Sequence, residues 1–336
     1  AVTSRRGFLL GLSAAAGVTA CGAAPRLLAQ VLPPGVPNPV DSNHPPFPDE
    51  VQDTGPQYAV PTRLDRAGRI VAQVRIGAYP PLRFILDTGA NRSAVSARTA
   101  ALIGAVATGE TIVHGITGAA VMPQAEVPEL HVGDLRFEGH RFAILPDPVF
   151  GGADGILGID TLQTARIDIN FPRDLVTVRR SSNQRPKGWL VVRATVRHRG
   201  LLLVPGRVGR IPIKAIIDTG AERSLGNELL YDTLLKRWKD ASGARSTTVV
   251  GATSQVAQGR ALRSPPVSLG GGAHIGDLLI TFADFHVFKV WELEREPALV
   301  IGMDVLGTLQ EFSIDYPRRE FQLKVENRLP PIQFGA

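Results

Sequence analysis

Cysteine is almost absent from this chain. Cys21 is the only one in 336 residues, so no intramolecular disulfide can brace the fold and no cysteine-rich metal site can form. Histidine is sparse as well. The seven copies are scattered, with no His-Glu-x-x-His run, and a zinc hydrolase therefore has no signature here. A Walker-type phosphate loop is missing too, and Gly11-Leu12-Ser13 lies in an amino-terminal targeting segment where it cannot serve as a nucleophile elbow. These absences lead us to expect neither metal nor organic cofactor. Charge of one sign is also lacking. The net charge is +6, and without Arg5, Arg6 and Arg26 of residues 1–29 it falls to +3, too little to argue for nucleic acid. The arginines of Arg193-Ala194-Thr195-Val196-Arg197-His198-Arg199 alternate with apolar residues, as on a solvated strand face.

What the chain does have is a repeat. Asp-Thr-Gly-Ala occurs twice, each time after an apolar run. The first copy is Leu82-Arg83-Phe84-Ile85-Leu86-Asp87-Thr88-Gly89-Ala90-Asn91-Arg92-Ser93. The second is Ile213-Lys214-Ala215-Ile216-Ile217-Asp218-Thr219-Gly220-Ala221-Glu222-Arg223-Ser224. Asp, Thr, Gly, Ala, Arg and Ser recur in register. A third tripeptide, Asp53-Thr54-Gly55, sits before Pro56 with no apolar strand ahead of it. It lacks the rigid element that would position a catalytic group, and we expect it to be idle.

An acid placed identically in two halves of one chain points to a site where two carboxylates meet. Carboxylates about 3 Å apart cannot both ionise, so the pair shares one proton. The ionised member can take a proton from a water between them while its neighbour hydrogen-bonds a scissile carbonyl. Water is then the nucleophile. Gly89 and Gly220 carry no Cβ and let two turns approach closely. Thr88 and Thr219 are short and hydroxylated, suited to bonding the opposite turn.

The repeat extends beyond the acids. Upstream, Val74-Arg75-Ile76-Gly77 matches Arg207-Val208-Gly209, and each half reads as strand, tight turn and a second strand running into the acid. Downstream, Ile156-Leu157-Gly158-Ile159-Asp160 matches Val300-Ile301-Gly302-Met303-Asp304. Ile169-Asn170-Phe171-Pro172-Arg173 matches Ile314-Asp315-Tyr316-Pro317-Arg318, and alternating strands follow at 175–178 and 321–325. Helix is expected only at Asn91–Gly104, Asn227–Lys239 and two short turns opened by Asp160 and Asp304 acting as N-caps. Between acid and second motif, each half carries a glycine-bearing hairpin candidate around Gly115-Ile116 and Gly251-Ala252.

Over roughly 65–330 this pattern resembles the retropepsin-like branch of the aspartic proteases, bacterial exported members included. The resemblance implies an all-β fold of two similar β-barrel lobes related by a pseudo-two-fold axis, with short helices. It implies an aspartic endopeptidase acting on a peptide or protein substrate, with Asp87 and Asp218 as catalytic dyad. Thr88, Gly89, Thr219 and Gly220 would support the catalytic loops, and Thr88 and Thr219 would make crossed hydrogen bonds. The Ile156-Leu157-Gly158 and Val300-Ile301-Gly302 segments would pack behind the turns. Gly115, Ile116, Gly251 and Ala252 would be flap tips over substrate, although neither hairpin has the tyrosine that pepsins carry, and the second runs on toward Gly270-Gly271-Gly272. His114, beside a flap tip, reads as an exposed loop histidine without a role, with modulation of the pH response as the alternative. The alternative is a catalytically idle, peptide-binding relative. Because both units occupy one chain, a monomer is expected.

The expected organisation is an export signal at 1–29, a proline-rich tether or propeptide at 30–63, a first lobe at 64–180, a linker at 181–188 and a second lobe at 189–336. Ser4-Arg5-Arg6-Gly7-Phe8-Leu9 resembles a twin-arginine signal, and its apolar run to Ala20 is short for a bilayer span. Val18-Thr19-Ala20-Cys21 resembles a lipobox in which Cys21 would be lipidated; ordinary cleavage at Ala20 or Ala29 is the alternative. Either way we expect a protein exported to the periplasm or lipid-anchored to the bacterial envelope.

Overall fold

The computed structural model describes residues 7–9, 59–61, 63–64, 68–182, 187–197, 200–238, 244–253, 255–270, 272–276 and 278–324. Cys21, Asp53, most of the proline-rich stretch and linker residues 183–186 lie outside the described residues. All described residues fall in one compact unit made of Ala1–Gly17 and Tyr58–Ala336. The fold is mostly β with a few short helices, as in aspartic protease-like folds. Among the described residues no helix is long and apolar enough to cross a membrane.

Each acid-bearing segment is built the same way. Ile70–Ile76 pairs antiparallel with Leu82–Leu86, and Leu201–Val208 pairs antiparallel with Ile211–Ile217. Leu82–Leu86 then lies parallel to Gly155–Leu157, as Ile211–Ile217 lies parallel to Ala298–Ile301. Strands covered on both faces need apolar residues at successive positions. Accordingly Phe84, Ile85 and Leu86, like Ala215, Ile216 and Ile217, are all buried. The acids thus sit at the ends of strands fixed inside the core.

Downstream the equivalence continues. Ala94–Ser96 pairs antiparallel with Gly155–Leu157 and parallel with Leu135–Leu145. Leu225–Gly226 makes the same two kinds of pairing with Ala298–Ile301 and Leu279–Phe282. One hairpin rises in each half: Ala107–His114 with Ala119–Val132, and Arg245–Val250 with Val256–Arg263. Gly270 lies beyond the second hairpin, in the turn joining Val267–Leu269 to Ala273–Ile275. Gly7–Leu9, inside the segment read as an export signal, pairs in parallel with Ile112–His114.

A six-stranded sheet joins the two halves. Ala165–Asn170 pairs antiparallel with Glu311–Asp315, flanked by Leu175–Arg180 on one side and by Glu320–Lys324 and Trp189–Arg193 on the other. Arg166 is buried inside it, with Nε 2.7 Å from Asp168 Oδ1, Nη1 3.3 Å from Asp315 Oδ2 and Nη2 3.0 Å from Ser313 Oγ. Arg193 and Arg197 are exposed, as the alternating pattern predicts.

Three expectations need correcting. The helix placed over Asn91–Gly104 is only Ala97–Leu102, because Ala94–Ser96 is a core strand and Ser96 caps the helix by accepting from Thr99 N. The N-caps of the short helices Ile159–Leu162 and Met303–Leu306 are Gly158 and Gly302, not Asp160 and Asp304. A further helix at His286–Val290 was not expected. Its valines and aromatics favour strand, but burial of Val287 and Phe288 with neighbouring Phe285 and Trp291 overrides that preference.

Candidate active site

Asp87 and Asp218 are both fully buried. Each carboxylate is held through one oxygen. Gly89 N and Ala90 N donate to Asp87 Oδ1 at 2.9 and 2.8 Å; Gly220 N and Ala221 N donate to Asp218 Oδ1 at 2.9 and 3.1 Å. The other oxygen, Oδ2, of each acid has no hydrogen-bond partner among the described residues.

The two acid turns meet. A Cβ added to Gly89 would lie 2.3 Å from Asp218 Oδ2, and one added to Gly220 would lie 2.2 Å from Asp87 Cγ. Each carboxylate therefore rests against the glycine of the opposite turn, and any side chain there would displace it. The threonines tie the turns crosswise. Thr88 Oγ1 donates to Ile217 O at 2.7 Å, and Thr219 Oγ1 donates to Leu86 O at 2.6 Å. In return Thr88 N donates to Thr219 Oγ1 at 3.2 Å and Thr219 N to Thr88 Oγ1 at 3.1 Å.

Behind each turn, Leu157 O accepts from Asp87 N and Ile301 O from Asp218 N, both at 3.0 Å. Ile159 N bonds Ala90 O and Met303 N bonds Ala221 O, both at 2.7 Å. The two hydrophobic-glycine segments thus pack where the repeat predicts. A second brace escaped the sequence reading. Ser93 Oγ accepts from Gly158 N at 3.0 Å and donates to Asp160 Oδ1 at 2.8 Å; Ser224 Oγ does the same with Gly302 N at 3.2 Å and Asp304 Oδ1 at 2.8 Å. Its signal was present, since both Ser and Asp recur in register. The acids displaced from capping are used here instead.

Electrostatics follow from burial. Desolvation raises the Asp87 pKa to about 6, opposed by the Ala90 and Gly89 amides and by Arg69. Asp218 is raised well above the ordinary carboxylate range, by burial first and then by the Asp87 charge. A pair so placed holds one proton over a wide pH span. The buried Tyr316 phenol, close enough to feel both charges, has no hydrogen-bond partner among the described residues; burial and the two acid charges hold it protonated.

The hairpin tips meet each other. Thr117 Oγ1 donates to Gln255 O at 2.8 Å and Gln255 Nε2 to Ala119 O at 3.3 Å. A Cβ on Gly251 would lie 2.2 Å from Thr117 Oγ1, and one on Gly115 would lie 3.3 Å from Thr253 Oγ1. Gly115, Ile116, Gly251 and Ala252 are therefore all at or beside contacting tips, and Ile116 is fully buried. His114 differs from expectation. It is half-buried, with Nδ1 2.9 Å from His286 Nε2 and the rings stacked at 5.2 Å.

Residues 72–161 match a family model described as Aspartyl protease. The match takes in the Asp87 turn and its backing Ile156-Leu157-Gly158 segment. It does not reach Asp218, whose equivalence rests on the repeated contacts above. A comparison with curated proteins finds no match.

Proposed function

We propose that the protein is an aspartic endopeptidase in which Asp87 and Asp218 form one dyad and activate a water against a peptide bond. The observation that carries this reading is the mutual approach of the two acid turns, each carboxylate against the opposite glycine and both lifted in pKa. The ionised acid takes the water's proton, the protonated one donates to the carbonyl oxygen, and the proton returns to the departing amine. Crossed threonine bonds hold both acids rigidly, which is what preorganised catalysis needs. The contacting hairpin tips are read as flaps that open to admit an extended peptide and close to exclude water.

The two units supply both halves of the site within one chain, which supports two lobes related by a pseudo-two-fold axis and an active monomer. The twin-arginine-like start and the Cys21 context support export to the bacterial envelope. Exposing the purified protein to a mixed peptide library tests the enzyme reading. Internal cleavage unaffected by chelators is expected; peptide binding without cleavage would instead establish the idle relative.

A further inference from the structure

The first hairpin is fastened to the second half of the chain by more than its tip. Val287 N donates to Ile116 O at 3.3 Å, and beside this bond the rings of His114, two residues before Ile116, and His286, next to Val287, stack and share a hydrogen bond of 2.9 Å. His114 ends the rising strand Ala107–His114, and His286 opens the helix His286–Val290, whose buried face anchors it through Val287 and Phe288. A hairpin edge is thus joined by two imidazoles to a helix anchored by its buried face.

We propose that His114 and His286 are positioning residues for the reaction inferred above: their hydrogen bond holds the first flap closed, and loading both rings with protons releases it. The proposal rests on that reading of the cleft, although the fastening itself can be measured without catalysis. A bond between ring nitrogens needs a donor on one side and a lone pair on the other. The neutral pair satisfies this with opposite tautomers, and a pair holding one extra proton still does. A second proton puts donors on both facing nitrogens and two like charges side by side, so the contact cannot persist.

The surroundings favour the neutral pair. Burial lowers the pKa of both rings; His286 further lowers His114, Lys289 further lowers His286, and Asp284 opposes this at His286. Asp284 and Lys289 also pair with each other at 2.6 Å. The facing turn contributes Thr253 and Gln255, the opposite hairpin strand Ala119, and the paired segment Gly7-Phe8-Leu9, none of them ionisable. The sign follows: the closed state binds protons less readily than the open one, so closure holds above the lowered histidine values and fails as pH falls through them. Asp87, at about 6, also takes up its proton in acid.

The test follows amide hydrogen exchange across 107–120 in the full-length Asp87→Asn protein between pH 7.5 and pH 5, corrected for intrinsic exchange, with histidine NMR titration alongside. The account expects His114 and His286 to titrate below the usual 6.5 and flap exchange to accelerate about three- to tenfold as they do, the worth of one neutral hydrogen bond. His286→Ala should show fast exchange at every pH and bring His114 back toward its ordinary value. A His114→Asn/His286→Asn double variant, able to bond without titrating, should keep slow exchange to pH 5. In catalytically competent protein His286→Ala should raise KM several-fold more than it lowers kcat. Independent titration near 6.5, or acid-accelerated exchange that survives the Asn pair, would overturn the proposal. Absence of any peptide cleavage would leave the exchange result standing and count only against the protease reading.

Discussion

At the residue scale, burial sets the chemistry of Asp87 more than the alanine that follows its glycine. Pepsin-like sites place a hydroxyl where Ala90 and Ala221 stand, and its absence argues for a less acidic working range. Desolvation is nonetheless the larger cause of the raised value, and both alanine methyls are buried in the core. The protein releases the Asp87 proton near 6, the unfolded chain near 3.8. Between those values the native state binds more protons, so this group's stabilising contribution is full below 3.8 and is lost as pH rises through 6. Asp87→Asn should therefore match wild type in stability at pH 3.5 and exceed it at pH 7 by on the order of 1–3 kcal/mol. Denaturant midpoints at the two pH values check this, and an equal difference at both would contradict it. The same values place the acidic limb of activity near pH 6, with an optimum in mildly acidic to neutral solution. A pH–rate profile peaking below about 3.5 would refute the assignment. The site residues that recur in register were legible in the sequence, because two copies constrain each other. His286 was not, since it has no counterpart and reaches His114 only through the tertiary fold.

At the scale of elements, the six-stranded sheet that joins the halves rests on a buried cation. Arg166 has 2% side-chain exposure and faces Asp315, which has none; Ser181 Oγ also donates to Asp315, at 2.9 Å, and Arg179 balances Asp168 at 2.7 Å. Removing one member of such a group strands a charge away from water, which typically costs about 3–5 kcal/mol. Arg166→Met should lower unfolding free energy by that order, read as a shift in denaturant midpoint. A loss below about 1 kcal/mol would mean that Asp315 finds protons or partners elsewhere. The strands of this sheet were legible from alternation at 175–178 and 321–325 and from their repeat. The ion group was not, because Arg166 and Asp168 look like any charged pair on an outer face until Glu311–Asp315 covers them. The helix His286–Val290 was missed for the opposite reason: three of its five residues, Val287, Phe288 and Val290, favour strand, and packing makes them helical.

For the whole molecule, the family match over 72–161 identifies one acid-bearing unit, and the fold repeats the contacts of its acid turn, backing segment and serine brace around the second acid. The sequence could show that two units exist, but not that their turns touch, since that depends on the sheet joining the halves. The proposed dyad within one chain predicts an active monomer: specific activity should stay constant on dilution across the range where a dimer of micromolar affinity would dissociate. The central claim is that one acid from each unit makes a single dyad. Its most direct measurement is kcat/KM for a cleaved peptide in wild type, Asp87→Asn, Asp218→Asn and Asp53→Asn, each shown to be folded. The account predicts that either of the first two substitutions alone abolishes turnover, by about a thousandfold or more, while Asp53→Asn is indistinguishable from wild type. Substantial turnover remaining in Asp87→Asn or Asp218→Asn would contradict it.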